Sequence, residues 1–376
     1  MKKIALIGST GSIGRQTLSV VRQNPDKFKI VSVAAGKNYE LFNEQVKEFL
    51  PKVATLESEK GVYKCEGVEY AFGEDAFTNA IVDEADIVVV ALVGYKGIIA
   101  VLDAIRKGKD IALANKESLV VGGELVMSLA KEKGVRISPI DSEHSAVWQA
   151  LSFNFNAPFK RIILTASGGA FRDYTKEQLK TATAKDALKH PNWDMGAKIT
   201  IDCATLVNKA FEVIEAKWLY NTSFDKIDVI IHRQSIIHSM VEMNDGAVMA
   251  QMSYPSMELP IALALSYPDR LESTIKSMDF AEIGQLSFEK LDKERFPCFD
   301  LILTAAKAGG VYPAVANGAN EEAVRLFLED KIAFGDIYKG IYGALQSYDG
   351  SNHIEEEHLA EADFFSREYV KNLFGV

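Results

Sequence analysis

The chain has 376 residues, of which 48% are hydrophobic and 25% charged, and its formal net charge at pH 7 is -10. This length predicts two or three domains, and the acidic charge argues against a nucleic-acid or anionic-membrane surface. Three scattered cysteines are too few for a disulfide framework or a zinc knuckle. No apolar run is long enough for a transmembrane helix or a secretory signal. We therefore expect a cytoplasmic protein that binds anionic ligands through local clusters of donors.

The first third of the chain alternates strand-like and helical patterns. Short apolar runs occupy residues 4–7, 29–35, 86–92, 111–114 and 135–140, and helical patterns occupy 13–22, 97–107 and 122–133. Such alternation predicts an α/β fold with a doubly wound, Rossmann-like parallel sheet that ends near residue 140. Pro139 marks an edge strand or a strand end.

The pattern changes after residue 140. Strand-like segments at 161–166, 228–232 and 247–253 are separated by long irregular or helical pieces, and from residue 300 onward the pattern is helical. Residues 268–294 are polar and aperiodic, with no clear strand pair. We predict four parts: the doubly wound domain (1–141), a central α+β domain (142–267), a linker (268–294) and a C-terminal helical bundle (295–376).

A glycine-rich motif, Gly8-Ser9-Thr10-Gly11-Ser12-Ile13-Gly14, lies directly after the first strand and opens a helix. Its glycines permit a tight turn, and the helix N-terminus offers N–H groups and a positive dipole end to a pyrophosphate. The alternative is a structural glycine-rich turn. A kinase-type P-loop is excluded by the spacing, and Arg15 stands where no P-loop lysine would be.

The second strand ends in Ala34-Ala35-Gly36-Lys37-Asn38. NAD-specific folds usually have an acidic residue here, which binds the ribose 2′-hydroxyl. No carboxylate in this stretch would repel a 2′-phosphate, and Lys37 and Asn38 could bind one. The sequence therefore predicts NADP(H) rather than NAD(H).

Carboxylates follow the last strand of the first domain, in Asp141-Ser142-Glu143. If this stretch is extended, residues i and i+2 point to one side, so both carboxylates reach one cation. An oxygen-rich site without a nearby cysteine favours magnesium or manganese over zinc, even with His144 adjacent. The alternative is a solvated helix cap.

Three further segments carry candidate ligand groups. Residues 202–220 have the periodicity of one helix, with Thr205, Asn208 and Glu212 on one face and Lys209 beside them; the alternative is a solvated face. Residues 166–170 could form a backbone nest for phosphate, or a plain loop. Residues 190–196 are polar and carry Trp193 and Met195, which predicts a lid over a ligand or, alternatively, two packing anchors.

Several strings in fixed order make the chain similar to the 1-deoxy-D-xylulose 5-phosphate reductoisomerase family. The matching strings are GSTGSIG (8–14), AGKN (35–38), LANKESLV (113–120), DSEH (141–144), SGG (167–169), HPNWDMG (190–196) and NK..E (208–212). The resemblance extends from residue 1 to the C-terminal helices. It implies an NADPH domain, a central catalytic domain that also forms a homodimer, a linker and a helical bundle.

The resemblance implies a role for each matching residue. The implied metal ligands are Asp141, Glu143 and Glu212, and the metal is manganese or magnesium, with cobalt as a third candidate. The implied NADPH site comprises Gly8, Thr10, Gly11, Ser12, Ile13, Gly36, Lys37, Asn38, Asn115, Glu117 and Gly196. The implied substrate site comprises Lys116, Ser142, Glu143, Ser167, His190, Trp193, Met195, Cys203, Asn208, Lys209 and Glu212. Lys116, Glu143, His190 and Glu212 are the implied catalytic residues.

The implied reaction converts a small phosphorylated sugar, 1-deoxy-D-xylulose 5-phosphate, into 2-C-methyl-D-erythritol 4-phosphate in the non-mevalonate isoprenoid route. The chain departs from the family pattern at Cys203, where serine is usual, and at Arg233, where proline is usual; Ala170 and Ala210 replace the usual proline and glycine. A thiol is a weaker hydrogen-bond donor than a hydroxyl, so we expect a modestly higher substrate KM from Cys203.

Two other functions are compatible with parts of this sequence. A simple NADP-dependent dehydrogenase or semialdehyde reductase would share the nucleotide motif but would not require three carboxylates on a metal. An NADPH-binding sensor that lost catalysis would bind the cofactor without turnover. The presence of Asp141, Glu143 and Glu212 together favours the enzyme.

Overall fold

The computed structural model describes residues 1–272 and 275–376. Its strands are β1 (Lys2–Ile7), β2 (Phe28–Ala35), β3 (Val53–Leu56), β4 (Glu69–Phe72), β5 (Ile87–Val90), β6 (Asp110–Leu113), β7 (Ile137–Pro139), β8 (Arg161–Ala166), β9 (Ile227–Ile231), β10 (Ile237–Glu242), β11 (Val248–Met252) and β12 (Glu289–Lys290). Its helices are α1 (Ser12–Gln23), α2 (Tyr39–Phe49), α3 (Ala76–Asn79), α4 (Lys96–Arg106), α5 (Glu117–Lys133), α6 (Ser142–Ala150), α7 (Lys176–Leu179), α8 (Ala184–Ala187), α9 (Ala197–Thr205), α10 (Val207–Leu219), α11 (Glu258–Ser266), α12 (Phe280–Ile283), α13 (Pro297–Ala308), α14 (Tyr312–Leu328), α15 (Phe334–Ser347) and α16 (Glu356–Phe374).

The described chain divides into two compact units. The first contains residues 1–118, 126–145 and 256–275, and the second contains 119–125, 146–255 and 276–376. The boundaries within 118–146 lie inside α5 and α6, so the chain changes unit within these helices and not in loops.

The first unit contains a parallel sheet in the order β4-β3-β2-β1-β5-β6-β7. Its interior strand β5 reads Ile-Val-Val-Val and is buried at every position, as expected for a strand covered on both faces. Pro139 ends the edge strand β7, where its missing N–H costs no ladder bond. This sheet confirms the predicted α/β class. The sequence prediction did not include β3 and β4, which are short and only partly apolar.

A late segment of the chain completes the core of the first unit. Helix α11 packs against α1, and its Ile261, Ala264 and Leu265 belong to the same buried cluster as Ile4, Leu6 and Leu18. This cluster therefore joins residues that are more than 240 positions apart in the sequence.

The second unit contains a mixed sheet in the order β11-β10-β8-β9-β12. Strands β8 and β9 are parallel, whereas β10, β11 and β12 pair antiparallel to their neighbours. Helix α14 packs against α15 and α16 in the C-terminal helical region. The expectation that residues 268–294 hold no paired strand is wrong, because β12 pairs with β9 and α12 precedes it. Residues 273 and 274 of that predicted linker lie outside the described residues.

The expectation of one helix over residues 202–220 is also wrong. Leu206 has φ +62°, a left-handed conformation that ends α9 and begins α10. Periodicity could not reveal this break, because leucine is a good helix former and carries no turn signal.

Candidate active site

The glycine-rich motif forms the connection between β1 and α1. Gly8 has φ +93°, and a Cβ there would lie 2.5 Å from the Ala91 carbonyl oxygen, so this position requires glycine. The segment Thr10–Ile13 follows, and α1 begins at Ser12. A helix N-terminus at the carboxyl edge of a parallel sheet is a favourable position for a pyrophosphate.

The segment after β2 is the predicted site of the ribose 2′-phosphate. Lys37 and Asn38 are exposed, and Gly36 is half-buried. Asn38 caps α2, since its Oδ1 accepts a hydrogen bond from the Leu41 N–H at 3.2 Å. Its amide group therefore has both a structural contact and donors to offer to a ligand.

The segment after β6 is a buried hydrogen-bonded turn. The Asn115 amide donates to the carbonyls of Leu92 and Gly94 at 3.1 and 3.0 Å and to Glu117 at 3.1 Å. Asn115 thereby fixes the loop after β5 to the start of α5. Lys116 lies between Asn115 and Glu117 in the sequence. Its Nζ is 2.6 Å from Asp141 Oδ2, and its side chain is only 6% exposed. A buried ion pair of this kind holds a charged lysine at a defined position.

The Asp141–Glu143 segment is not extended, so the i, i+2 argument for it is wrong. Helix α6 begins at Ser142, and Asp141 Oδ1 accepts a hydrogen bond from the Ser142 N–H at 3.1 Å. Asp141 therefore resembles a helix cap, but its side chain is 13% exposed and not solvated. The Ser142 hydroxyl donates to Glu143 Oε2 at 2.7 Å, and His144 is fully buried. Both carboxylates thus lie around the first turn of a helix.

The segment after β8 is a tight turn around two glycines. Gly168 and Gly169 have φ +85° and +70°, and a Cβ on Gly169 would collide with the carbonyl group of Cys203. The Gly169 N–H donates to Ser167 Oγ at 3.2 Å. Ser167 is thereby held at the end of the strand, next to the backbone of α9.

His190 has a defined neutral form. Its Nδ1 accepts hydrogen bonds from the backbone N–H groups of Asn192 and Trp193, at 3.2 and 3.0 Å. The ring proton must therefore be on Nε2, which lies 3.0 Å from Ser167 Oγ. Burial and the positive charge of Arg172 lower the pKa of His190 to about 4. At neutral pH, His190 is an uncharged donor directed toward Ser167.

The 190–196 segment is fixed to a neighbouring loop. The Asn192 amide donates to the Arg233 carbonyl at 2.6 Å and to Ser235 Oγ at 2.7 Å. Trp193 and Met195 are half-buried, and the Trp193 ring lies 6.1 Å from that of His238. Gly196 immediately precedes α9. The alternative that Trp193 is a packing anchor therefore remains beside the lid prediction.

The start of α10 contains a buried polar group. Asn208 Nδ2 donates to Glu212 Oε1 at 2.6 Å, and Lys209 Nζ forms an ion pair with Glu212. Lys209 Nζ also donates to the Thr165 carbonyl at 2.5 Å, which places it at the end of β8, two residues before Ser167. Glu212 is 1% exposed and Lys209 is 4% exposed, so the solvated-face alternative is wrong.

The donor chemistry of the predicted metal ligands fits a hard divalent cation. Asp141, Glu143 and Glu212 all provide carboxylate oxygens, which suit magnesium and manganese. Glu143 and Glu212 already accept hydrogen bonds from Ser142 and Asn208. Such partners orient ligating carboxylates in metalloproteins.

Three residues outside the predicted site contact this region. Arg172 donates to the Ser167 and Arg233 carbonyls, both at 3.3 Å. Asn192 contacts the loop of residues 233–235, and Arg233 itself pairs with Asp173 at 2.8 Å and with Glu289. Arg172 carried no signal in the sequence, whereas Asn192 lies in the matching HPNWDMG string and Arg233 is a departure from the family pattern. Nothing in the local sequence indicates which residues Asn192 and Arg233 contact.

Comparison with known proteins places the chain among reductoisomerases. The family profile "1-deoxy-D-xylulose 5-phosphate reductoisomerase" matches residues 4–123. Its C-terminal domain profile matches 137–220, and the profile "DXP reductoisomerase C-terminal domain" matches 252–369. A protein of that name from Geobacillus sp. (strain WCH70) is 47% identical, covering 99% of this chain and all of the relative. The chain belongs to the 1-deoxy-D-xylulose 5-phosphate reductoisomerase family.

Relatives in this family have also been solved with ligands. The reductoisomerase of Zymomonas mobilis in complex with NADPH is 38% identical over 99% of both chains, with a TM-score of 0.90. A DOX-P reductoisomerase in complex with NADPH, fosmidomycin and magnesium has a TM-score of 0.94 and 35% identity, covering 100% of this chain and 98% of that one. A further family member, from Pelodictyon phaeoclathratiforme, is 49% identical over the full length of both proteins.

Within residues 1–272 and 275–376, no helix has both the length and the apolar character needed to cross a membrane.

Proposed function

We propose that this protein catalyses the NADPH- and metal-dependent conversion of 1-deoxy-D-xylulose 5-phosphate to 2-C-methyl-D-erythritol 4-phosphate. Family membership over the full chain supports this reaction, as do the NADPH and magnesium named for a solved relative. The geometric observation that carries the proposal is the donor group at the end of β8. There, the Nε2–H of His190 donates to the Ser167 hydroxyl, and the ammonium of Lys209 donates to the carbonyl of Thr165, two residues before Ser167.

We assign the substrate phosphate to this donor group. Ser167 Oγ accepts hydrogen bonds from Gly169 and His190, so its own proton is free to be donated to a phosphate oxygen. His190, whose single N–H is donated to Ser167 Oγ, orients that hydroxyl, and Lys209 provides the positive charge. Asn208 and Cys203 would complete the phosphate contacts. Clamping the phosphate away from the reacting carbons orients the substrate, and closure of the segment carrying Trp193 and Met195 would exclude water.

We further propose that Asp141, Glu143 and Glu212 bind a divalent metal, magnesium or manganese. When bound, the metal supplies Lewis-acid polarisation of the substrate oxygens. Lys116, which pairs with Asp141, would be displaced toward the substrate as that carboxylate binds the metal. Ser142, hydrogen-bonded to Glu143, would contact the sugar hydroxyls.

The proposed cofactor is NADPH, which supplies the hydride. Its pyrophosphate would bind at the segment from Gly8 to Ile13, and its 2′-phosphate at Gly36, Lys37 and Asn38. Asn115, Glu117 and Gly196 are the remaining proposed contacts. The role of Asn115 includes fixing the loop after β5, as its hydrogen bonds to Leu92 and Gly94 indicate.

We also propose a cytoplasmic homodimer with the four-part domain division predicted from the sequence. The second-unit sheet supports association, because its edge strand β11 carries Val248 and Met249 at 51% and 50% exposure. An edge strand with exposed apolar side chains is a favourable surface for pairing with another chain. Sedimentation of the wild type and of a Met249→Lys variant would test the dimer: a monomeric wild type would contradict it.

The decisive experiment measures NADPH oxidation with 1-deoxy-D-xylulose 5-phosphate in magnesium, in manganese and after chelation. Metal-dependent turnover is expected, with Glu143→Gln strongly impaired. Glu177→Gln is a matched control, because Glu177 also lies in the first turn of a helix but is exposed. Turnover that survives chelation would favour a simple dehydrogenase. Tight NADPH binding without turnover in either metal would favour a binding protein.

A further inference from the structure

A carboxylate lies beside the proposed site of the cofactor ribose. Ala35, the last residue of β2, pairs with Leu56, the last residue of β3. The next residues are Gly36 and Glu57, and a Cβ built on Gly36 would lie 3.8 Å from Glu57 Oε2. In dinucleotide-binding folds, the ribose 2′-position lies at the end of the second strand. Glu57 therefore places a negative charge next to the proposed position of the 2′-phosphate.

This carboxylate alone would favour the wrong cofactor. An acidic side chain at this edge of the sheet accepts hydrogen bonds from the unphosphorylated ribose of NADH. The same side chain repels the phosphate of NADPH, because two like charges in contact oppose each other even when partly solvated. Glu57 is 24% exposed, so solvent screens this repulsion only in part.

Lys96 compensates for Glu57. Its Nζ lies 2.9 Å from Glu57 Oε1, and the Phe77 ring centroid lies 5.9 Å from the same ammonium. Lys96 is the first residue of α4, which follows β5, whereas Glu57 follows β3. Strands β2 and β1 lie between β3 and β5 in the sheet, so the ion pair joins segments on either side of the strands that carry the proposed nucleotide site.

The position of Lys96 is set by a buried contact. Asn115 binds the carbonyls of Leu92 and Gly94, in the loop that leads into α4. Lys96 itself is 67% exposed, so its ammonium is free to reorient toward an incoming phosphate. Exposed ion pairs contribute little to folding stability, which makes a purely structural role a weak explanation for this pair.

We propose that Lys96 is a specificity-determining residue that favours NADPH over NADH. It neutralises Glu57 beside the ribose and provides a second cation, with Lys37, for the 2′-phosphate. This inference rests on the proposed cofactor site at residues 36–38.

The test compares the Kd values of NADPH and NADH for the full chain, by titration calorimetry at two salt concentrations. In Lys96→Ala, we expect the Kd of NADPH to rise roughly tenfold at low salt and less at high salt. The Kd of NADH should change by less than about twofold, since it lacks the phosphate. In the Lys96→Ala/Glu57→Gln double variant, most of the NADPH affinity should return, because the uncompensated carboxylate is gone.

The control is Lys3→Ala, which removes an exposed ion pair with Glu84 near the amino end of β1, away from the carboxyl ends of the strands where Glu57 and Lys96 lie. It should leave both Kd values unchanged, and all variants should melt at the wild-type temperature. Equal weakening of both cofactors in Lys96→Ala, or no recovery in the double variant, would overturn the proposal. A wild type that binds NADH as tightly as NADPH would instead contradict the proposed cofactor site.

Discussion

His190 Nε2 lies 3.0 Å from Ser167 Oγ, while His190 Nδ1 accepts hydrogen bonds from two backbone N–H groups in the segment that follows His190. One imidazole thus connects the proposed phosphate site to the proposed lid. We expect His190→Gln to raise the substrate KM several-fold, because the Ser167 hydroxyl loses a neutral hydrogen bond, worth about 1 kcal/mol, that orients it toward the phosphate. Steady-state kinetics with a fixed saturating NADPH concentration would measure it. An unchanged KM would remove His190 from the phosphate site.

The same residue predicts a pH dependence of stability. The pKa of His190 is lowered to about 4 in the folded protein, below its ordinary value of 6.5. Between about pH 6.5 and pH 4, the unfolded protein binds a proton at this histidine and the folded protein does not. The free energy of unfolding is therefore unaffected above about pH 6.5 and decreases as the pH falls toward about 4. Urea unfolding from pH 7 to 4.5 should therefore show a steeper loss for the wild type than for His190→Gln. Parallel curves would mean that His190 is not held neutral.

Asn192→Ala should loosen the segment that carries Trp193. It removes two hydrogen bonds, to the Arg233 carbonyl and to Ser235, each worth about 1 kcal/mol. We expect the substrate KM to rise several-fold and proteolysis near residues 190–196 to become faster. Asn154→Ala, in an exposed turn of the same unit, serves as the control. Unchanged cleavage rates would show that Asn192 does not hold this segment.

Gly169→Ala should damage both stability and substrate binding. The left-handed φ of +70° costs an alanine about 1–2 kcal/mol, and the added Cβ would also collide with the Cys203 carbonyl. Gly246→Ala separates the two effects, since Gly246 has φ +89° but open space around its Cβ position. Chemical denaturation would measure the stability of both variants, and substrate titration would measure their affinity for the substrate. Equal losses in the two variants would show that the contact with Cys203 is unimportant.

Cys203→Ser tests the departure from the usual family residue. A hydroxyl donates a stronger hydrogen bond than a thiol, so we expect a modestly lower substrate KM with little change in kcat. Cys65→Ser, in the other unit, should leave the kinetics unchanged. If the serine variant binds substrate no more tightly, residue 203 does not contact the phosphate.

The sequence predicted the parallel sheet well, because buried β-branched runs such as Ile87–Val90 have few other conformations available. It failed where a single residue departs from its propensity: Leu206 adopts φ +62° and divides a helix that periodicity predicts to be continuous. It also failed for Asp141 and Glu143, because a strand end and a helix start look alike in three residues. Partners distant in sequence, such as Asn192 with Arg233 and Glu57 with Lys96, have no local pattern from which they could be predicted.

The packing of α11 bears on how the protein is made. Since Ile261, Ala264 and Leu265 lie in the same buried cluster as Leu6 and Leu18, the parallel sheet of the first unit cannot close its core until most of the chain has been synthesised. A nascent chain ending near residue 145 would expose this apolar surface, and chaperones would recognise such a surface. Folding of the first unit therefore waits for the α11 segment, and a peptide spanning 256–272 should stabilise an isolated 1–145 fragment in trans.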